Sequence, residues 1–150
     1  MTTFNENRTY GVEIEIEHPT NGSRGANALA TAIEIEFATN RIDATCTFEG
    51  YNHRDNANNH WKIVTDASLR NGLEVVSPIL KGLSGKAQIE AVLTAIKLHG
   101  YEVNYRTGLH VHHDARNLTG YQIGAIIGTY TAFQDVIDYA VSPSRRDVSR

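Results

Sequence analysis

Gly108-Leu-His-Val-His-His-Asp114 places three of the chain's seven histidines within four residues, beside a carboxylate. Imidazole and carboxylate are common metal ligands, and imidazole titrates near neutral pH. Read as a strand, the stretch puts His110, His112 and Asp114 on one face. Leu109, Val111 and His113 then point to the other, because strand side chains alternate. A solvated strand face that happens to carry histidines fits the same spacing.

A second source of ligands lies near the N-terminus. From Tyr10 to Glu17 the chain alternates strictly, with Tyr10, Val12, Ile14 and Ile16 on one face and Gly11, Glu13, Glu15 and Glu17 on the other. That is the pattern of a half-buried strand. Glu74 sits in a third apolar run, at the same parity as Val76. Asp66 lies at the end of a predicted hairpin, within reach of the same space. Carboxylates gathered on one face repel each other and raise each other's pKa, and a divalent cation relieves that repulsion. Oxygen ligands favour Mg²⁺ or Mn²⁺, and one imidazole is compatible with either. Mg²⁺ held by carboxylates usually also holds nucleotide phosphates. An acidic, water-exposed face without an ion is the alternative.

These residues need elements to position them. Ser23 or Asn27 is expected to cap a helix running to about Thr39, with Leu29, Ile33 and Phe37 on one stripe. Ile42 to Glu49 reads as a second strand. Gly50 to His60 is polar and aperiodic, hence a loop. His60 to Thr65 and Leu73 to Ser77 form a hairpin across the Asp66–Gly72 turn, ended by Pro78. Leu83 to His99 carries a helical stripe of Ile89, Val92, Leu93 and Ile96, with Gly100 as the stop. Glu102 to Asp114 is a fifth strand. Asn117 or Thr119 caps a long helix to about Val141, in which Gly120, Gly124 and Gly128 share a face. Tight packing on the sheet or a dimer seam would use that face. The sum is one α+β domain over residues 1–150: a largely antiparallel sheet, helices on one face, and acids and histidines on the open one.

Composition narrows the partners. The chain has 150 residues, 41% of them hydrophobic, with a formal net charge of −3 and no basic block. Nucleic acid is therefore not favoured. The lone cysteine, Cys46, cannot form an internal disulfide, and no apolar leader or spanning segment stands out, so a cytoplasmic location is expected. Gly-rich phosphate loops and the HExxH, CxxC and GxSxG motifs are absent.

Five blocks, in order, are similar to the amidoligase family. They are Gly11-Val-Glu-Ile-Glu15, His60-Trp-Lys-Ile-Val-Thr-Asp-Ala-Ser68, Leu73-Glu-Val-Val-Ser-Pro-Ile-Leu80, Gly108-Leu-His-Val-His112 and Ser144-Arg-Arg146. They span about Tyr10 to Arg146. That family resembles the glutamine synthetase and glutamate–cysteine ligase superfamily. The resemblance implies ATP- and Mg²⁺-dependent joining of a carboxylate to an amine through an acyl phosphate. It implies Glu13, Glu15, Glu74 and His110 as metal ligands, with His110 and His112 touching metal or nucleotide phosphate. Asp66 and Ser68 would shape the pocket, and Arg145 or Arg146 would pair with phosphate or a substrate carboxylate. Family members usually continue past the Ser-Arg-Arg block, so this chain is expected to be a short or truncated member.

Two other functions use the same residues. One is a non-catalytic binding protein on this fold, oligomeric through the glycine stripe. The other is a metal hydrolase, because His110-x-His112-x-Asp114 resembles the metallo-β-lactamase signature. Such sites take further histidines downstream, and none follows His113.

Overall fold

The computed structural model describes residues 7–20, 22–52, 60–69 and 71–141. The chain divides into two compact units, Met1–His113 and Asp114–Arg150. The first contains a six-stranded, mostly antiparallel sheet with helices against one face.

Strand β1 (Thr9–Glu17) is the centre of that sheet. It pairs antiparallel with β4 (Gly72–Val76) along one edge and with β6 (Leu109–His113) along the other. β4 is the second arm of the expected hairpin with β3 (Trp61–Thr65). Gly72 closes that hairpin tightly: a Cβ there would collide with the buried side chain of Leu69. β2 is confined to Cys46–Phe48 and runs parallel to β3, outside it. Ile42 to Thr45, expected as the start of this strand, is irregular. The Ile42 N–H bonds the Phe37 carbonyl and so still belongs to the end of the preceding helix.

Sequence reading did not anticipate β5 (Leu80–Lys81), which continues along the β4 edge of β1. Proline supplies no N–H to a ladder. Ser77 bridges the interruption at Pro78: its hydroxyl accepts from the Val12 N–H at 2.8 Å and donates to the Pro78 carbonyl at 2.8 Å.

Helices α1 (Ala26–Thr39) and α2 (Gly82–Leu98) cover one face of the sheet. Gly25, rather than Ser23 or Asn27, is the N-cap of α1, because a 3-10 turn at Gly22–Gly25 leads into it. Val12, Ile14 and Ile16 meet Leu29, Ile33 and Phe37 of α1 and Val92 and Ile96 of α2 in one core. Trp61 is fully buried there, and its indole N–H donates to Gln88 at 2.9 Å. Burying each such side chain contributes about 2 kcal/mol, so the helix-facing half of β1 dictates where its carboxylates point.

The second unit contains α3 (Gly120–Ala132) and α4 (Gln134–Ala140), so the single long helix expected here is broken at Phe133. Thr119 caps α3 through a reciprocal box with Gln122. Gly120, Gly124 and Gly128 all lie on α3 and are exposed. Among the described residues, no helix is long and apolar enough to cross a membrane.

Candidate metal centre

Because Ile14 and Ile16 face the helices, Glu13 and Glu15 face away from them. Antiparallel register carries that choice to the neighbouring strands, since directly opposed residues share a face. Glu15 opposes Glu74, so Glu74 joins the open face, and Val76 joins it opposite Glu13. On the other edge Glu13 opposes His110 and Gly11 opposes His112. Two rows result. Lys62, Val76, Glu13 and His110 form one. Val64, Glu74 and Glu15 form the next, extended by the Glu15 N–H bond to the Gly108 carbonyl at 3.0 Å.

Glu13, Glu74 and His110 each bring a ligand atom within 4.8 Å of the other two. Ligands on opposite sides of an ion with bonds near 2.1 Å stand about 4.2 Å apart, so small rotations would close this set on a cation. The Glu13 carboxylate lies 3.1 Å from His110 Nδ1 and 3.3 Å from His112 Nε2. Glu15 stands behind: one oxygen accepts from the Gly108 N–H, and the other lies 3.8 Å from His110 Nε2. Gly108 fits closely here. A Cβ would stand 3.2 Å from both Glu15 Oε2 and His110 Nε2.

Clustered acids alone would raise each other's pKa. At Glu13 burial does push the carboxyl up, but hydrogen bonds and charge from His110 and His112 outweigh it and hold the group below its usual range. The two histidines favour the ionised form of Glu13. Two carboxylates and one imidazole leave room for water or phosphate oxygens around Mg²⁺ or Mn²⁺.

The other expected residues fall elsewhere. Asp66 Oδ1 accepts from the Ser68 N–H at 2.8 Å, an Asx turn within the β3–β4 connection, and neither residue belongs to the three-ligand cluster. Asp114 is not on β6, which ends at His113. It opens the second unit and pairs with Arg116 at 2.9 Å. The expected three-residue face therefore reduces to His110 and His112. His113, as expected, takes the opposite face, across from Tyr10. Arg145 and Arg146 lie outside the described residues.

Three features escaped the sequence reading. Lys62 is buried at 3% exposure on the acidic face, its ammonium donating to the Asn52 carbonyl at 3.1 Å. Glu49 and His60 pair at 2.7 Å, flanking the polar stretch expected as a loop, of which residues 53–59 lie outside the described residues. Arg106 forks onto Glu17. The parity of Lys62 with Val64 was a usable signal for the first. The other two join residues far apart in sequence, which no local pattern reports.

Comparison of the chain with curated proteins and with solved structures finds no match. Among protein families, one model covers almost the entire chain, residues 6–150, and so includes every strand and helix that builds the cluster. The chain belongs to that family, described as "putative amidoligase enzyme".

Proposed function

We propose that this protein is an ATP-dependent amide ligase that uses Mg²⁺ or Mn²⁺. The observation that carries this reading is the convergence of Glu13, Glu74 and His110 on one open face, in a chain of the amidoligase family. The γ-phosphoryl group of ATP passes to a substrate carboxylate, and ADP leaves. The amine nitrogen then bonds to the acyl carbon, the bond to phosphate breaks, and the amine gives up a proton.

Glu13, Glu74 and His110 would hold the ion, with Glu15 3.8 Å from the other ring nitrogen of His110, where a small shift would let it orient the imidazole, the usual job of a carboxylate beside a ligating imidazole. A bound divalent ion offsets the charge that builds on the phosphate oxygens. His112 stands beside Glu13, where it can meet a phosphate. Asp66 and Ser68 would shape the substrate pocket, and Arg145 or Arg146 would pair with phosphate or carboxylate.

The test is release of ADP by the full chain with Mg²⁺, across a panel of carboxylates and amines. ADP release that requires both substrates, and that is lost in Glu13→Gln, supports the reading. No release across the panel, from protein that binds Mn²⁺ normally, overturns it in favour of a binding protein.

A further inference from the structure

A cleft of about 490 Å³ opens at the C-terminal end of β1, lined by Glu17, His18, Asn71, Glu102, Asn104 and Arg106 among others. That is the size range of small-molecule sites. Glu17 lies two residues beyond Glu15 on the same face, about 7 Å along the strand.

The chemistry of the cleft is set by how Arg106 is held. Guanidinium has two forks, one along Nε and an Nη, the other across the two Nη nitrogens. Glu17 takes the first: Arg106 Nε donates to Oε1 at 3.2 Å and Nη2 to Oε2 at 2.7 Å. Asn104 donates to the same carboxylate at 2.6 Å, and its own side-chain oxygen accepts the Arg106 backbone N–H at 2.8 Å. Glu17 is buried, whereas the Arg106 side chain is 40% exposed. A buried acid thus fixes the arginine from behind. The end-on fork has one long contact among the described residues, Nη1 to the Tyr105 hydroxyl at 3.4 Å.

We infer that the end-on fork of Arg106 binds a carboxylate of the substrate, the one that does not react. This rests on the ligase reading, in which the reacting carboxylate sits at the metal centre further up β1. Phosphate offers the same oxyanion geometry, but Glu102 on the cleft wall opposes a multiply charged anion more than a singly charged one.

The experiment titrates the full chain with butyrate, and separately with inorganic phosphate, without nucleotide or metal, following the Arg106 Nε–H resonance. Butyrate is expected to shift it saturably, and Arg106→Lys, which lacks that resonance and is followed by calorimetric titration beside the wild type, to weaken binding about ten-fold by removing the planar fork. Glu17→Gln is the sharper variant. It removes a negative charge, so charge alone predicts tighter butyrate binding. Loss of the fixed fork predicts weaker binding, and that is the expected result. Glu102→Gln should admit phosphate. The proposal is overturned by an Arg106 signal that does not respond, by Arg106→Lys binding like wild type, by tighter binding in Glu17→Gln, or by phosphate matching butyrate in the wild type. Since neither ATP nor metal is present, failure of the ligase reading and failure of this site are read separately.

Discussion

The open face carries two glutamate–histidine clusters, and they differ in what surrounds the carboxylate. Glu49 is ringed by donors: His60 at 2.7 Å, Asn52 at 2.6 Å and Thr47 at 3.3 Å. Its pKa is held down first by the His60 hydrogen bond, with Asn52 and Thr47 adding to it against burial. Glu13 is ringed by histidines on one side and Glu74 on the other; burial pushes its pKa up, and His110 and His112 bring it below the usual range, as His60 does for Glu49. The partner of Glu49 is 19% exposed, while those of Glu13 are 53% and 62% exposed. One carboxylate is satisfied and closed, and joins the end of β2 to the start of β3. The other is charged and open, beside a second carboxylate with which it could share a cation. A short glutamate–histidine distance does not distinguish a site from a staple; the remaining neighbours do.

The comparison breaks most sharply on metal binding. Glu13→Ala should weaken Mn²⁺ binding by about 100-fold or more, since it deletes a ligand rather than a supporting group, whose loss costs about 10- to 100-fold. Glu49→Ala should leave Mn²⁺ affinity within about two-fold. Calorimetric titration of both variants measures this, and equal losses would erase the distinction.

Stability should rank the two the other way. Glu49→Ala leaves His60, Asn52 and Thr47 without their shared acceptor and should cost about 1–3 kcal/mol. Glu13→Ala, without metal, loses contacts to the exposed His110 and His112. It should change stability by less than about 0.5 kcal/mol. Urea unfolding of metal-free protein decides it. A Glu13→Ala loss as large as that of Glu49→Ala would make the first cluster a staple too.

Gly108→Ala tests the open cluster without touching a ligand. The added Cβ would press on Glu15 and His110 at 3.2 Å, so both must shift by a few tenths of an ångström. Mn²⁺ affinity should fall about three- to ten-fold, less than the roughly 10- to 100-fold that outright loss of a supporting residue costs, with little change in unfolding. Unchanged affinity would show that Glu15 does not orient His110.

How much of this was legible follows from which contacts are local. Tyr10–Glu17 could be read because one face is wet and the other dry, so alternation reports burial directly. Glu74 was ambiguous because Val76 shares its parity; only the register opposite Glu15 and Glu13 places both on the open face. The strand expected from Glu102 begins at Leu109 instead. Thr107 and Asn104 close a turn between their backbones, leaving Glu102 only an isolated bridge to Glu17. β5 has two residues, too few for any period to show. The Glu49–His60 pair joins residues 11 apart across a stretch whose sequence has no pattern, and Arg106 reaches back 89 residues to Glu17. Local chemistry gave the ligands; the groups that hold or support them came from contacts between distant segments.

The smallest effect lies in the acid limb, and it isolates the closed cluster. The Glu49 pKa is lowered in the folded protein from an ordinary 4.5, so its carboxylate contributes stability that is complete above that value. The contribution disappears as pH falls through the lower, folded value. Wild type should therefore lose stability progressively below about pH 4.5, and Glu49→Gln should lose less over the same interval, since an amide does not titrate. Denaturant midpoints between pH 3 and 6 measure the difference. Parallel curves for the two proteins would mean that Glu49 is no better satisfied folded than unfolded, and would remove the ground for calling its cluster closed.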